Sequence, residues 1–320
     1  MSSVTLRSIG SFHVGGHGRR LAGLPMQHRR TVPGGAPRIV DPNGDYVVGQ
    51  MYAQEYRLAA PRHALPVLLW HGGGMTGCHW ESTPDGRTGW LWRFLEAGFD
   101  VFVTDAAERG RASWAPWPQI YAEAPLFRTK QEAWHMFRIG PQEGYDSEPG
   151  RRCPFVSQQF PVQAFDNFAQ QWVPRWVDHE EMAQTAYDAL IERVGPCIIV
   201  AHSQGGGYAI AAAQRHPRQV RAVVAIEPAG TCGNAAGAPQ PHLAVWGDYL
   251  LKPEHPVWAG YRSAADSYWH DAFLAGQPYA TLDLPAHGIH GNSHFPMLDQ
   301  NSDQVFSEVL HWLEAQRLNW

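Results

Sequence analysis

The chain has 320 residues, 44% of them apolar and 17% charged, and a formal net charge of −5. That apolar share supports a substantial core and excludes a disordered chain, and the length suits one large domain or one domain carrying an insertion. The sparse charge, with Arg19–Arg20 and Arg29–Arg30 standing as isolated pairs, excludes a nucleic-acid-binding footprint.

Leu6 to Val14 reads as a short strand, followed by a loop rich in Gly, Pro and Arg up to about residue 40. A strand is predicted over Tyr46 to Leu58. Pro66-Val67-Leu68-Leu69-Trp70 is short, apolar and β-prone, and it breaks into His71-Gly72-Gly73-Gly74, which predicts a buried strand entering a turn. Trp90 to Ala97 has helical spacing of Leu91, Phe94 and Leu95, and Gly98 ends it. Strands are predicted at Asp100–Thr104, Cys197–Ala201, Ala222–Ile226, His242–Trp246 and Tyr279–Leu284. Helices are predicted at His179–Val194, Tyr208–Arg215, Ala264–Leu274 and Ser302–Gln316. Apolar strands alternating with amphipathic helices imply a mainly parallel α/β sheet covered on both faces.

Residues 113–178 interrupt this alternation. They are rich in proline and carry Trp114, Trp117, Trp134, Trp172 and Trp176. So long an excursion between sheet strands is usually functional, and ligands of such sheets bind at the C-terminal strand edge. The segment is therefore expected to be a cap, with Trp114 and Trp117 as substrate-binding residues. The competing reading is a surface excursion whose aromatics form a small core of their own.

The N-terminus lacks an apolar stretch of signal-peptide length, and His28-Arg29-Arg30 interrupt the segment after Arg19-Arg20. No stretch approaches the ~20 apolar residues of a membrane span. A cytoplasmic protein without membrane partners is expected. Cys78, Cys153, Cys197 and Cys232 have no C-x-x-C spacing, which disfavours structural zinc. Cys197, in an apolar run, is expected to be a buried small hydrophobe.

The most informative stretch is Ile198-Ile199-Val200-Ala201-His202-Ser203-Gln204-Gly205-Gly206-Gly207. An apolar strand, a serine among small residues and a helix form the nucleophile-elbow pattern, with Ala201 in place of the usual first glycine. The turn exposes the Ser203 hydroxyl, and the backbone N–H of Gln204, opening the helix, can stabilise an oxyanion. A phosphate loop would need the Gly-Lys-Ser/Thr that is absent here. His71-Gly72-Gly73-Gly74 matches the glycine loop that supplies a second oxyanion N–H, with Gly73 as donor and Gly74 second. His71 is expected to hydrogen-bond structurally.

The general base should follow the last strand. Leu284 to Met297 offers His287, His290 and His294. Pro285 and the glycines keep these off one regular helix and no acidic ligand is obvious, so no metal site is expected. His294, just before Phe295-Pro296-Met297, is favoured, with His290 in reserve. Two acids could orient it: Glu227, directly after Val223–Ile226, and Asp248, after Ala244–Trp246. Spacing leaves them even.

The chain resembles a divergent group of bacterial α/β-hydrolase esterases typified by an Alcaligenes esterase. The resemblance rests on His71-Gly72…Met75-Thr76-Gly77, His202-Ser203-Gln204-Gly205, Ile226-Glu227-Pro228 and Gly291-Asn292-Ser293-His294-Phe295, and covers most of the chain. It implies an α/β-hydrolase fold, the triad Ser203, Glu227 and His294, and a homodimer. Asp248 is then the reserve acid. Where Gly73 and Gly74 stand, that group carries adjacent cysteines, so a disulfide there has no counterpart.

These residues imply a serine carboxylic-ester hydrolase that needs no cofactor and takes a small-molecule ester. The aromatic excursion and Phe295 suggest an apolar, aromatic or cyclic substrate. A lactonase, amidase or acyltransferase could use the same triad. Dehalogenase and epoxide hydrolase chemistry would want aspartate where Ser203 stands. A non-catalytic ligand-binding protein of the same fold is the alternative of another class.

Overall fold

The computed structural model describes residues 3–230, 238–251 and 256–318. The chain opens with a long antiparallel pair, β1 (Leu6–Leu21) against β4 (Gly44–Leu58), with a small hairpin of β2 (Gln27–Arg29) and β3 (Arg38–Val40) between them. β1 continues well past Val14, through glycines expected to lie in a loop. The β4 ladder supplies its backbone hydrogen bonds down to Leu21 opposite Gly44. Gly15 adopts φ +70° and lies so close to the chain at Ala186 that a Cβ there would stand 3.1 Å from the Ala186 Cα. Glycine here serves close packing inside a strand rather than a turn.

The remaining strands are β5 (Val67–Trp70), β6 (Val101–Asp105), β7 (Cys197–His202), β8 (Val220–Ile226), β9 (His242–Trp246) and β10 (Tyr279–Asp283). The eight-stranded sheet has the order β1-β4-β6-β5-β7-β8-β9-β10. From β6 to β10 every neighbouring pair is parallel. All residues of β5, β6, β7 and β9 are buried, which explains their continuous apolar runs. Alternate side chains feed opposite faces. Val67, Leu69, Ile198, Val200 and Val224 enter one core, and Leu68, Trp70, Ile199, Ala201 and Val223 the other.

The helices are α1 (Cys78–Glu81), α2 (Trp90–Glu96), α3 (Lys130–Met136), α4 (Phe165–Ala169), α5 (Glu180–Val194), α6 (Gln204–Arg215), α7 (Pro256–Leu274) and α8 (Ser302–Ala315). α2 and α8 cover the first core through Trp90, Phe94, Val305 and Val309. α5, α6 and α7 cover the second through Leu190, Ile210 and Trp258. None of the described helices is long and apolar enough to cross a membrane. Cys78, Cys153 and Cys197 are free thiols, Cys197 fully buried, and Cys232 lies outside the described residues.

Residues 113–178 run between β6 and α5 and contain α3 and α4. Tyr121 and Trp176 form a small separate cluster with Ala115 and Val48, but most of the large aromatics join the main core. Trp134, Phe160, Phe165 and Phe168 are buried in the same cluster as Trp90, Phe94 and Phe295. Each such burial contributes about 1.5–3 kcal/mol, which joins the excursion firmly to the body. A single antiparallel bridge between Leu126 and Arg175 ties its early and late parts together.

Candidate active site

The turn from β7 into α6 holds Ser203 at φ +52° and ψ −120°, a conformation costing a non-glycine residue about 1–3 kcal/mol. Surrounding hydrogen bonds hold it there. The Ser203 N–H donates to the Ile226 carbonyl at 2.9 Å, and the Ser203 carbonyl accepts from Gly206 and Ala229 at 2.9 and 3.0 Å. α6 presses against the chain leaving β5, where a Cβ on Gly205 would stand 2.6 Å from the His71 carbonyl oxygen. Ala201, the alanine of the elbow, is fully buried between Trp70 and Ala225 of the adjacent strands.

The glycine loop lies beside this turn. A Cβ on Gly72 would stand 3.0 Å from the Ser203 Cβ, and one on Gly73 3.0 Å from both Gln204 Oε1 and Arg175 Nη1. A larger residue at Gly73 would crowd these groups. The Gln204 N–H belongs to the first turn of α6, where unpaired N–H groups and the helix dipole favour a developing negative charge. His71 anchors the loop: its Nδ1–H donates to the Gly72 carbonyl at 2.8 Å and its Nε2 accepts from the Ala106 N–H at 2.9 Å. Burial pushes the His71 pKa down to about 4, so the ring is neutral and structural.

His294 sits on the loop between β10 and α8, almost fully buried. Its N–H donates to the Phe137 carbonyl at 2.9 Å, and its carbonyl accepts from His202 Nε2 at 2.8 Å. The ring stacks on Phe137 and lies 4.1 Å from the Trp258 ring, centre to centre. Asp299 braces the loop, accepting from the Ser293 N–H, the Ser293 hydroxyl and the Asn292 amide. Burial holds His294 well below its ordinary pKa of 6.5, and the guanidinium groups of Arg138 and Arg128 push the same way. The ring is therefore neutral near pH 7, as a proton acceptor must be.

Glu227, at φ +49° directly after β8, places Oε2 3.3 Å from His294 Nδ1. Its other oxygen accepts from the Gly247 N–H at 2.6 Å and from Arg138 Nη2 at 2.7 Å. Burial pushes this carboxyl up, while Arg138 and Gly247 favour its ionised form. Arg138 is itself fully buried, donates to the Asp248 carbonyl at 2.8 Å and lies over the Trp258 ring. With Nδ1 turned to Glu227, Nε2 is the ring nitrogen left for Ser203.

Asp248 faces elsewhere. Its carboxylate accepts from the Asn292 N–H at 3.0 Å and lies 3.8 Å from His290 Nδ1, on an exposed side chain. His287 is also exposed and bonds the Asp283 carbonyl. The three histidines thus occupy three different surroundings.

Ser203, Gln204, Gly73 and His294 line one cleft of about 320 Å³, with Glu227 buried behind the histidine. A larger cavity of about 640 Å³ opens beside Asp248 and Arg262, and none of the groups that line the cleft borders it. Phe295 is buried behind the cleft against His202, Phe137 and Phe168. Trp114 and Trp117 are about half exposed and do not line the cleft. Its aromatic walls are Phe137, Trp258 and Tyr261, and its charged walls Arg128, Arg175 and Glu180. Sequence reasoning missed these, and missed Arg138. The available signal for Arg138 was its place between Phe137 and Ile139, a cation inside an apolar run that needs a buried partner.

Residues 65–286 match the alpha/beta hydrolase fold family, and the chain belongs to it. Among its relatives is a probable secreted lipase, phiG, of a fungal species, 26% identical over 85% of this chain and 88% of that protein. A solved structure of a novel bacterial esterase superposes with a TM-score of 0.82 at 30% identity, covering 99% of this chain and 98% of the other. The chain is thus a hydrolase-fold enzyme similar to esterases and lipases.

Proposed function

We propose that the chain is a serine carboxylic-ester hydrolase working through an acyl-enzyme at Ser203, and that it belongs with the Alcaligenes-type esterases. The observation that carries this reading is the cleft itself. A strained, half-buried serine and a buried neutral histidine line it together, and a carboxylate stands behind the histidine.

In the proposed cycle, Ser203 Oγ attacks the ester carbonyl carbon while His294 Nε2 takes its proton. Glu227 orients the ring through Nδ1 and stabilises the imidazolium. The backbone N–H groups of Gly73 and Gln204 receive the oxyanion. The C–O bond breaks, the alcohol leaves with the proton from His294, and water activated by His294 then releases the acid and restores Ser203. Residues 113–178 act as a fixed cap in this reading, since Arg128, Met136, Phe137 and Arg175 from that segment form one wall of the cleft.

Ser203→Ala should lower kcat by a factor on the order of 10⁴ or more. Persistent hydrolysis of a chromogenic ester by that variant would sink the proposal. Assaying esters, lactones and amides side by side separates ester hydrolysis from its neighbours, and a fluorophosphonate probe that fails to label Ser203 would identify a non-catalytic binder instead.

A further inference from the structure

Arg175 stands at the reacting end of the cleft and has no counter-ion among the described residues. Its Nη1 lies against Gly73, at the position where a Cβ on that glycine would be 3.0 Å away. Among the described residues no carboxylate lies within 4 Å of it, and its side chain makes no hydrogen bond. The neighbouring Arg128 differs. It is paired with Glu132 at 2.6 Å and rests over the Phe137 ring. Glu180, the acidic side chain on the cleft wall, is exposed and forms no ion pair among the described residues. The backbones around Arg128 and Arg175 are held by the Leu126–Arg175 bridge, with N–H to carbonyl distances of 2.7 and 3.0 Å. The two like charges are therefore fixed near one another, and Arg175 adds to the burial that pushes the Arg128 pKa down.

A half-buried guanidinium with no partner among the described residues, on the wall of a cleft that also holds Arg128, is matched by a planar anion, which it can bind through two parallel hydrogen bonds. Because Arg175 stands at the glycine that would receive the acyl oxyanion, that anion must lie a few bonds from the scissile carbonyl. We propose that the substrate is an ester whose acyl part ends in a carboxylate, the half-ester of a short dicarboxylic acid, and that Arg175 binds this carboxylate with Arg128 in support. The proposal rests on the esterase reading and narrows its substrate class. The ester bond broken and the atoms exchanged are those of the cycle above, and the distal carboxylate takes no part in them.

The test compares kcat/KM for ethyl hydrogen succinate with that for ethyl pentanoate, which is similar in length and neutral, by titrating the acid released. The anionic ester should be favoured by about 10- to 100-fold, the range of a charge-assisted hydrogen bond. Arg175→Gln should lower that ratio at least tenfold and Arg175→Lys by less. Added salt should shrink the wild-type preference. Thermal unfolding of each variant checks that it folds, and the lysine variant keeps the test alive if the glutamine variant does not.

An equal or reversed preference in the wild type overturns the proposal and leaves the esterase reading standing. So does an Arg175→Gln variant that loses activity on both esters equally, which would make Arg175 a stabiliser of the oxyanion. Failure to hydrolyse the anionic ester by a protein that fluorophosphonate labels at Ser203 also overturns the substrate class alone. Absence of both turnover and labelling sinks the esterase reading and this inference with it.

Discussion

Glu227 and Asp248 both follow the ends of neighbouring parallel strands, β8 at Ile226 and β9 at Trp246, yet their surroundings differ. Glu227 turns inward at φ +49°, has no exposed surface, and is shared by Arg138, Gly247 and His294. Asp248 turns outward, caps the backbone at Asn292 and borders the larger cavity beside Arg262. The longer glutamate side chain reaches the histidine from one strand further in, and it needs a buried arginine to offset its desolvation. A strand-end carboxylate thus gains its role from what surrounds it. Position in the sheet alone does not distinguish the two.

The largest effect that would break this comparison comes from Glu227→Gln. In the proposed cycle it should lower kcat by about 10³- to 10⁴-fold, the size seen when the orienting acid of such a triad is neutralised. It also strands the Arg138 charge, so stability should fall by about 3–5 kcal/mol. The double variant Glu227→Gln, Arg138→Met separates these losses. Urea unfolding should recover much of the stability while activity stays low. If activity recovered together with stability, Glu227 would be a structural partner of Arg138 and nothing more.

Arg138→Met alone comes next. It leaves the Glu227 carboxylate buried with one donor fewer, again costing about 3–5 kcal/mol. It also removes a cation that depresses His294. The acid limb of kcat/KM reports the free-enzyme base, which must be neutral to work. In the wild type that limb should therefore lie below pH 6.5, and Arg138→Met should move it upward. A wild-type limb above pH 6.5, or an unmoved limb in the variant, would contradict the electrostatic picture of the site.

How much of this was legible in the sequence follows from the range of each interaction. β5, β7 and β9 were readable because strands buried on both faces are written as unbroken apolar runs. Ser203 and the glycine loop were readable because an elbow is a local backbone event, requiring small residues at neighbouring positions. The choice between Glu227 and Asp248 was not, because it depends on which strand end faces the loop around Asn292 and His294, a tertiary fact that spacing leaves even. The resemblance to known esterases pointed to Glu227, and the 3.3 Å approach to His294 is a property of the fold. The cleft walls were least legible. Arg128 and Arg175 come from distant parts of the 113–178 excursion and Trp258 from α7, whereas the conspicuous Trp114 and Trp117 stay at the surface. An abundance of tryptophan marks where a chain must bury area. It does not mark which part of that area meets a ligand.

The smallest effect completes the comparison. Asp248→Asn keeps an oxygen able to accept from the Asn292 N–H, and the Asp248 carbonyl that receives Arg138 is backbone and survives any substitution. The variant should therefore lose only about 1 kcal/mol, the net worth of one hydrogen bond. The imidazole that Asp248 approaches is His290 rather than His294, so the acid limb should stay where it is in the wild type. Activity should remain within a few-fold, reflecting a slightly looser Asn292–His294 loop. A fall of about 10³-fold or more on Asp248→Asn, with Glu227→Gln nearly silent, would exchange the two carboxylates' roles. It would mean that His294 turns toward β9 when substrate is bound.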